Sequence, residues 1–122
     1  MMLSLIIPCY NESESLPALL GKCQAIISEN IEIILVDNGS SDSTPEILGP
    51  FEKHNTGLRS TRVEQNIGYG NGILAGLKIA RGEILGWTHA DLQTDPADIL
   101  AAYQIYERSV NPSNLFVKGA RA

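Results

Sequence analysis

Short apolar runs that alternate with stretches of helical apolar spacing, each pair joined by a polar turn, restrict this chain to an alternating β/α plan. Leu3 to Pro8 is apolar, rich in β-branched residues and closed by proline, the pattern of a strand buried on both faces. After the polar turn Cys9-Tyr10-Asn11-Glu12, the residues Leu16, Leu19, Leu20, Cys23, Ile26 and Ile27 recur at helical spacing. Asn11 and Glu14 stand three apart and predict a capping box. The second unit repeats the plan. Ile31 to Val36 is a strand, Asp37 to Asp42 a turn-rich loop, and Ser43 or Thr44 caps a helix with Pro45 in its first turn, running to about His54. Leu58 to Val63 is a weaker third strand. A glycine- and asparagine-containing loop, Glu64 to Asn71, precedes a helix marked by Ile73, Leu74, Leu77 and Ala80, with Gly82 as its C′ residue. Ile84 to Trp87 is a fourth strand. Asp95 as N-cap and Pro96 open a last helix carried by Ile99, Leu100, Tyr103, Tyr106 and Val110, and Leu115 to Val117 predicts a fifth strand.

Such alternation implies an α/β fold with parallel pairing and right-handed crossovers. Ligands of these sheets bind at the carboxyl ends of the strands, near a topological switch point. The polar loops after strands one, two and four all fall on that edge. A length of 122 residues reads as one domain spanning 1–122. The net charge of −5, with basic residues scattered, argues against a nucleic-acid partner. A phosphate bound here would need local help from a metal, backbone N–H groups or one or two basic side chains. Cys9 and Cys23 have no metal-binding spacing, and Cys23 falls on a helical apolar stripe, which predicts a core role. There is no basic region before the first apolar run, and no segment reaches the ~20 apolar residues of a membrane span, so the chain reads as soluble and intracellular.

Asp37 follows Ile-Ile-Leu-Val directly. At a strand end it can accept hydrogen bonds from a nucleobase or ribose, or equally serve as a turn aspartate. Asp42 can support the same loop or the helix start. Asp91 lies past the fourth strand, two residues after His89 and two before Gln93, so alternate positions can project toward one point. Asp and Gln oxygens suit Mg²⁺ or Mn²⁺; His89 can ligate Mn²⁺, donate to a phosphate, or play a structural part. For a departing diphosphate, a helix N-terminus offers about 0.3–1 kcal/mol, whereas a divalent cation offers several kcal/mol. The metal is therefore the expected means of stabilisation. Asn66 to Gly72 holds Gly68, Gly70 and Gly72 but matches neither the dinucleotide nor the Walker A pattern.

Taken together, Ser-Leu-Ile-Ile-Pro-Cys-Tyr-Asn-Glu (4–12), Ile-Leu-Val-Asp-Asn-Gly-Ser-Ser-Asp-Ser-Thr (34–44), Asn66-x-Gly68 and Gly-Glu-Ile-Leu-Gly-Trp-Thr-His-Ala-Asp-Leu-Gln-Thr-Asp-Pro (82–96) resemble the family-two inverting glycosyltransferases. The likeness is strongest to polyprenyl-phosphate mannose synthase-like members. It implies a Rossmann-like GT-A three-layer sandwich, mainly parallel and incomplete at the C-terminus, that binds a UDP- or GDP-sugar. It implies a nucleotide site at Pro8, Tyr10, Glu12, Asp37, Asp42, Asn66, Gly68 and Asp91. Asp91, Gln93 and His89 would surround the Mn²⁺ or Mg²⁺, with His89 standing where the family has aspartate. Lys118-Gly119-x-Arg121 is similar to the start of a basic segment near phosphate groups. The resemblance further implies a catalytic base beyond Ala122, a lipid-linked phosphate acceptor and a place at the cytoplasmic face of a membrane in the full-length protein. Self-association is expected from an open sheet edge. Two rival readings are a non-catalytic nucleotide-binding module and a nucleotidyltransferase. The latter would carry a basic glycine-rich loop where this chain has Cys-Tyr-Asn-Glu.

Overall fold

The structure is a computed structural model that describes residues 2–91 and 95–109. Gln93, Val110, the expected strand at 115–117 and the Lys118–Arg121 segment lie outside the described residues. In chain order the elements are β1 (Leu3–Cys9), α1 (Leu16–Ile26), β2 (Ile31–Asn38), α2 (Thr44–His54), β3 (Leu58–Val63), α3 (Tyr69–Ile79), β4 (Ile84–Trp87), a 3₁₀ turn (Pro96–Asp98) and α4 (Ile99–Arg108). The four strands form one sheet in the order β3-β2-β1-β4. Every pairing is parallel, with Leu3 opposite Ile31 and Ile84, and Ile33 opposite Leu58. The switch point expected of a doubly wound sheet falls beside β1, where the chain stops adding strands on one side and crosses to the other.

All residues of β1 and β2 are buried, which is why they appear in the sequence as unbroken apolar runs. Alternate side chains serve different layers. Leu5, Ile7, Cys9, Ile33 and Leu35 meet α1, α2 and the start of α4. Ile6, Ile34 and Val36 meet α3 on the opposite face. The sheet is thus the middle of three layers. Helix α3 lies very close to it because Gly76 has no side chain: a Cβ there would stand 2.6 Å from Ile6 Cγ2 and 3.1 Å from Val36 Cγ2.

A charged network staples the amino ends of the strands. Glu32 is buried, and its carboxylate accepts from Ser4 Oγ at 2.5 Å, Arg59 Nη2 at 2.7 Å and the Arg81 backbone N–H at 2.7 Å. Arg59 Nη2 also donates to the Ile79 carbonyl at the end of α3. This end of the sheet is structural, and it leaves the carboxyl edge for other work.

Three local expectations are corrected. Asn11 does not cap α1, whose N-cap is Ser15 with no capping bond from its side chain. Asn11 instead takes a positive φ of 50° and turns its amide toward the β2–α2 loop. Neither Ser43 nor Thr44 caps α2 through its own side chain; Asp42 accepts from the Thr44 N–H at 2.9 Å and does that work. Gly82 is not the C′ residue of α3, which ends at Ile79 with Ala80 as its cap. The Gly82 N–H donates to Ser4 Oγ at 2.8 Å, and a Cβ there would meet Met2 O at 2.7 Å. Asp95 does cap the 3₁₀ turn, accepting from the Ala97 N–H.

Candidate functional site

The loops after β1, β2 and β4 meet the start of α3 at the carboxyl edge of the sheet and enclose an open cleft of about 170 Å³. The end of β1 and the loop after it line it with Pro8, Tyr10 and Glu12. The end of β2 contributes Asn38, and the segment before α3 contributes Asn66 and, at its first helical residue, Tyr69. His89 and Asp91 close it from the β4 side.

Hydrogen bonds between loops fix this arrangement. Asn11 Oδ1 accepts from the Ser41 N–H at 2.8 Å, while the Asn11 N–H donates to Ser40 Oγ at 3.1 Å. Asp42 ties the same two loops together by accepting from the Ser13 N–H at 3.2 Å. Bonds from the Thr44 hydroxyl, and then the Thr44 and Ser13 amides, hold the Asp42 carboxyl down at about 2. Ser15 Oγ lies 2.9 Å from Glu12 Oε2 and 3.4 Å from the Ala90 carbonyl, linking the β1 and β4 loops. Gly39 has φ +73°, and a Cβ there would stand 2.6 Å from the Asn66 nitrogen. Glycine therefore both permits the turn and lets the two backbones touch.

Strand alternation separates Asp37 from Asn38. Asp37 is on the α1 face, where its carboxylate accepts from the Ser40 N–H at 3.0 Å and pairs with the Arg62 guanidinium. Asn38 is on the α3 face, at the floor of the cleft. It is 3% exposed, and its Nδ2 donates to Gly68 O at 3.2 Å and Asn66 Oδ1 at 3.4 Å. These bonds leave its Oδ1 buried without a hydrogen-bond partner. Across the cleft the His89 and Tyr69 rings are stacked, centroids 5.1 Å apart and planes 19° apart. Burial, and then the Asp91 charge, raise the Tyr69 phenol above its ordinary range. Burial, and then the negative charges of Glu12 and Asp37, push the Cys9 thiol far up, so it is a core residue rather than a nucleophile. Cys23 is pushed up to about 12 by burial first and Asp95 second, in keeping with its core position.

Of the residues singled out in the sequence, Pro8, Tyr10, Glu12, Asn66, His89 and Asp91 converge on the cleft. Gly68 stands beside it and holds Asn38. Asp37 and Asp42 brace the loops through the bonds given above. Sequence reasoning missed Asn38 and Tyr69. The signal for Asn38 was its place one residue beyond Asp37, on the opposite face of a fully buried strand. Among the described residues no group of three or more His, Cys, Asp or Glu side chains forms a ready metal cage. None of the described helices is long and apolar enough to cross a membrane.

The family model described as glycosyl transferase family 2 matches residues 4–111. The undecaprenyl-phosphate 4-deoxy-4-formamido-L-arabinose transferase of Aeromonas hydrophila is 36% identical over 102 residues, covering 80% of this chain and 31% of that protein. Its counterpart in Yersinia pestis is 37% identical over 100 residues, covering 79% and 31%. The chain thus spans about a third of the length of the curated relatives it matches. Among solved structures, S. aureus TarS in complex with UDP-GlcNAc superposes with a TM-score of 0.72 at 24% identity, over 88% of this chain and 31% of that one. The mannosyltransferase PcManGT from Pyrobaculum calidifontis, in complex with GDP-Man and Mn²⁺, gives 0.72 at 26% identity, over 89% and 33%. Both have the same α/β architecture with a mainly parallel sheet.

Proposed function

The chain belongs to glycosyl transferase family 2, and on that footing we propose that its cleft is the donor half of a glycosyl-transfer site, binding a UDP- or GDP-sugar. The observation that carries this reading is the convergence of Tyr10, Glu12, Asn38, Asn66, His89 and Asp91 on one cleft at the carboxyl edge of the sheet, with the Asn38 Oδ1 buried and without a partner beside it. A buried acceptor without a partner costs about 1–3 kcal/mol. A ligand N–H would recover that cost, and a nucleobase edge presents one. The Asn38 amide is held by Asn66 and Gly68, so it offers its oxygen and not its nitrogen. In this reading Asp37 shapes the loop from the opposite face, through Ser40 and Arg62, instead of touching the base itself.

His89 and Asp91 fit a divalent cation as a partial donor set, one imidazole and one carboxylate on one loop in one cleft. Such ions are often held by one or two carboxylates together with substrate phosphates, and a nitrogen donor favours Mn²⁺ over Mg²⁺. When bound, the ion would supply Lewis-acid stabilisation of the departing diphosphate. The chain's own part is to hold the nucleoside at Asn38, to place Asp91 and His89 by the diphosphate, and to line the sugar side with Tyr10 and Glu12. An acceptor oxygen attacks the anomeric carbon opposite the leaving group, so configuration inverts. The relatives named as undecaprenyl-phosphate sugar transferases support a lipid-linked phosphate acceptor, and hence action at a membrane surface; we propose its cytoplasmic face. We assign the general base to the part of the whole protein outside 1–122, since those relatives are about three times as long.

Calorimetric titration with UDP and GDP, with and without Mn²⁺, tests the reading. One of the two binds the wild-type chain more tightly with Mn²⁺, Asp91→Ala abolishes the metal dependence, and Asn38→Ala weakens binding about tenfold with or without metal. Binding indifferent to both Mn²⁺ and Asp91→Ala would refute it.

A further inference from the structure

We infer that Tyr69 is a positioning residue that holds the His89 imidazole over the cleft, so that a ring nitrogen meets the diphosphate of the donor. The inference rests on the donor-site reading and deepens it. A histidine on a loop is free to turn about two side-chain bonds. Here one face is covered by the Tyr69 ring, at 5.1 Å and 19°. The Tyr69 hydroxyl also donates to the Thr88 carbonyl at 3.3 Å, immediately before His89 in the chain. One side chain therefore grips both the ring of His89 and the backbone that carries it.

Tyr69 is itself anchored. It is the first residue of α3, set by Gly68 at φ +122°, a conformation that L side chains rarely adopt. The Gly68 carbonyl accepts from Asn38 Nδ2 and its N–H donates to Asn66 Oδ1 at 3.0 Å. The same Asn38 that floors the cleft thus fixes the start of α3, and through Tyr69 the position of His89. Nucleoside contact and diphosphate contact are set by one connected frame.

A double-mutant cycle decides the matter, read as the affinity for UDP against uridine, and GDP against guanosine, in Mn²⁺. Tyr69→Leu and His89→Ala should each weaken the diphosphate about two- to tenfold, the scale of immobilising one side chain, and leave the nucleoside unchanged. Tyr69→Phe keeps the stacked ring but loses the bond to the Thr88 carbonyl, so its loss should fall between wild type and Tyr69→Leu, which also serves if the leucine variant folds poorly. The double variant should bind no more weakly than His89→Ala. Losses that multiply in the double variant, or an equal loss for the nucleoside, would overturn the role of Tyr69 while leaving the donor site standing. A wild-type chain that binds neither diphosphate overturns the donor-site reading and this inference with it.

Discussion

Replacing Glu32 with glutamine should destabilise the fold by about 3 kcal/mol. The carboxylate is buried, its side chain 4% exposed, and it accepts four hydrogen bonds. Two come from Arg59 Nε and Nη2 onto one oxygen, and two from Ser4 Oγ and the Arg81 N–H onto the other. A glutamine amide has one acceptor, so either orientation sets its NH₂ against existing donors. The milder choice faces Ser4 and Arg81. Ser4 Oγ already accepts from the Gly82 N–H, and the Arg81 N–H cannot be turned. Arg59 also loses its counter-charge. Breaking a buried pair typically costs about 3–5 kcal/mol; Arg59 is 24% exposed and keeps some hydration, which sets the low end. At about 4 °C per kcal/mol for a domain of this size, the melting temperature at pH 7 should fall by about 12 °C. The pH dependence has a definite sign. Burial alone would raise the Glu32 carboxyl, but bonds from Ser4, Arg81 and Arg59 bring it below its ordinary value. The folded state then takes up this proton less readily than the unfolded chain. The stabilisation is present above the ordinary carboxylate range and drains away as pH falls through the lowered value. Thermal melts followed by circular dichroism should show a gap between wild type and Glu32→Gln that is widest near neutrality and narrows in acid. Equal melting temperatures at pH 7, or a gap that widens on acidification, would refute the reasoning.

Gly76→Ala sets a helix-propensity gain of about 1 kcal/mol against an overpacking cost of about 1–3 kcal/mol. Ile6 and Val36 are fully buried and stiff at the contact, so packing prevails and urea denaturation should show a net loss of about 1 kcal/mol; an unchanged or raised midpoint counts against the tight α3–sheet contact. Asp42 should titrate with a midpoint of about 2 when its carboxyl carbon is followed by NMR. Its depressed value means that its contribution is held above the ordinary carboxylate range and lost toward pH 2, and a midpoint near 4 in the folded chain would show that the Thr44 and Ser13 bonds do not form in solution.

β1 and β2 were legible because burial on both faces leaves an unbroken apolar run; β3 and β4 are only partly buried, yet they too matched their expected limits from Leu58 to Val63 and Ile84 to Trp87. The start of α3 was not. Gly70 and Gly72 looked like loop residues, yet α3 begins at Tyr69. At Gly72 the requirement is room: a Cβ would come within 3.1 Å of Asn38 and 3.3 Å of Pro8. The Asn11 capping box failed because Asn11 found partners about thirty residues away, at Ser41 and Asp42. Local spacing carries no trace of such a partner. The cleft was legible at the level of loops, since Tyr10, Glu12, His89 and Asp91 all follow strand ends. Which face of β2 lines the cleft was not, because a strand buried on both sides gives no hint that Asn38 and not Asp37 would stand there.

The strand order also has a consequence for how the chain is made. β1 is the first of the described strands to be synthesised, and its neighbour β4 is the last. At roughly 5–20 residues per second, several seconds pass between them on the ribosome. β2 can cover one side of β1 early, but the other side waits with its backbone donors and acceptors unpaired along a mainly apolar strand. Such an edge is a template for the wrong partner. An inner strand of the sheet is therefore also the nascent chain's longest-lived exposure to misassembly, and a chaperone that shields it during that wait would raise the yield of folded protein.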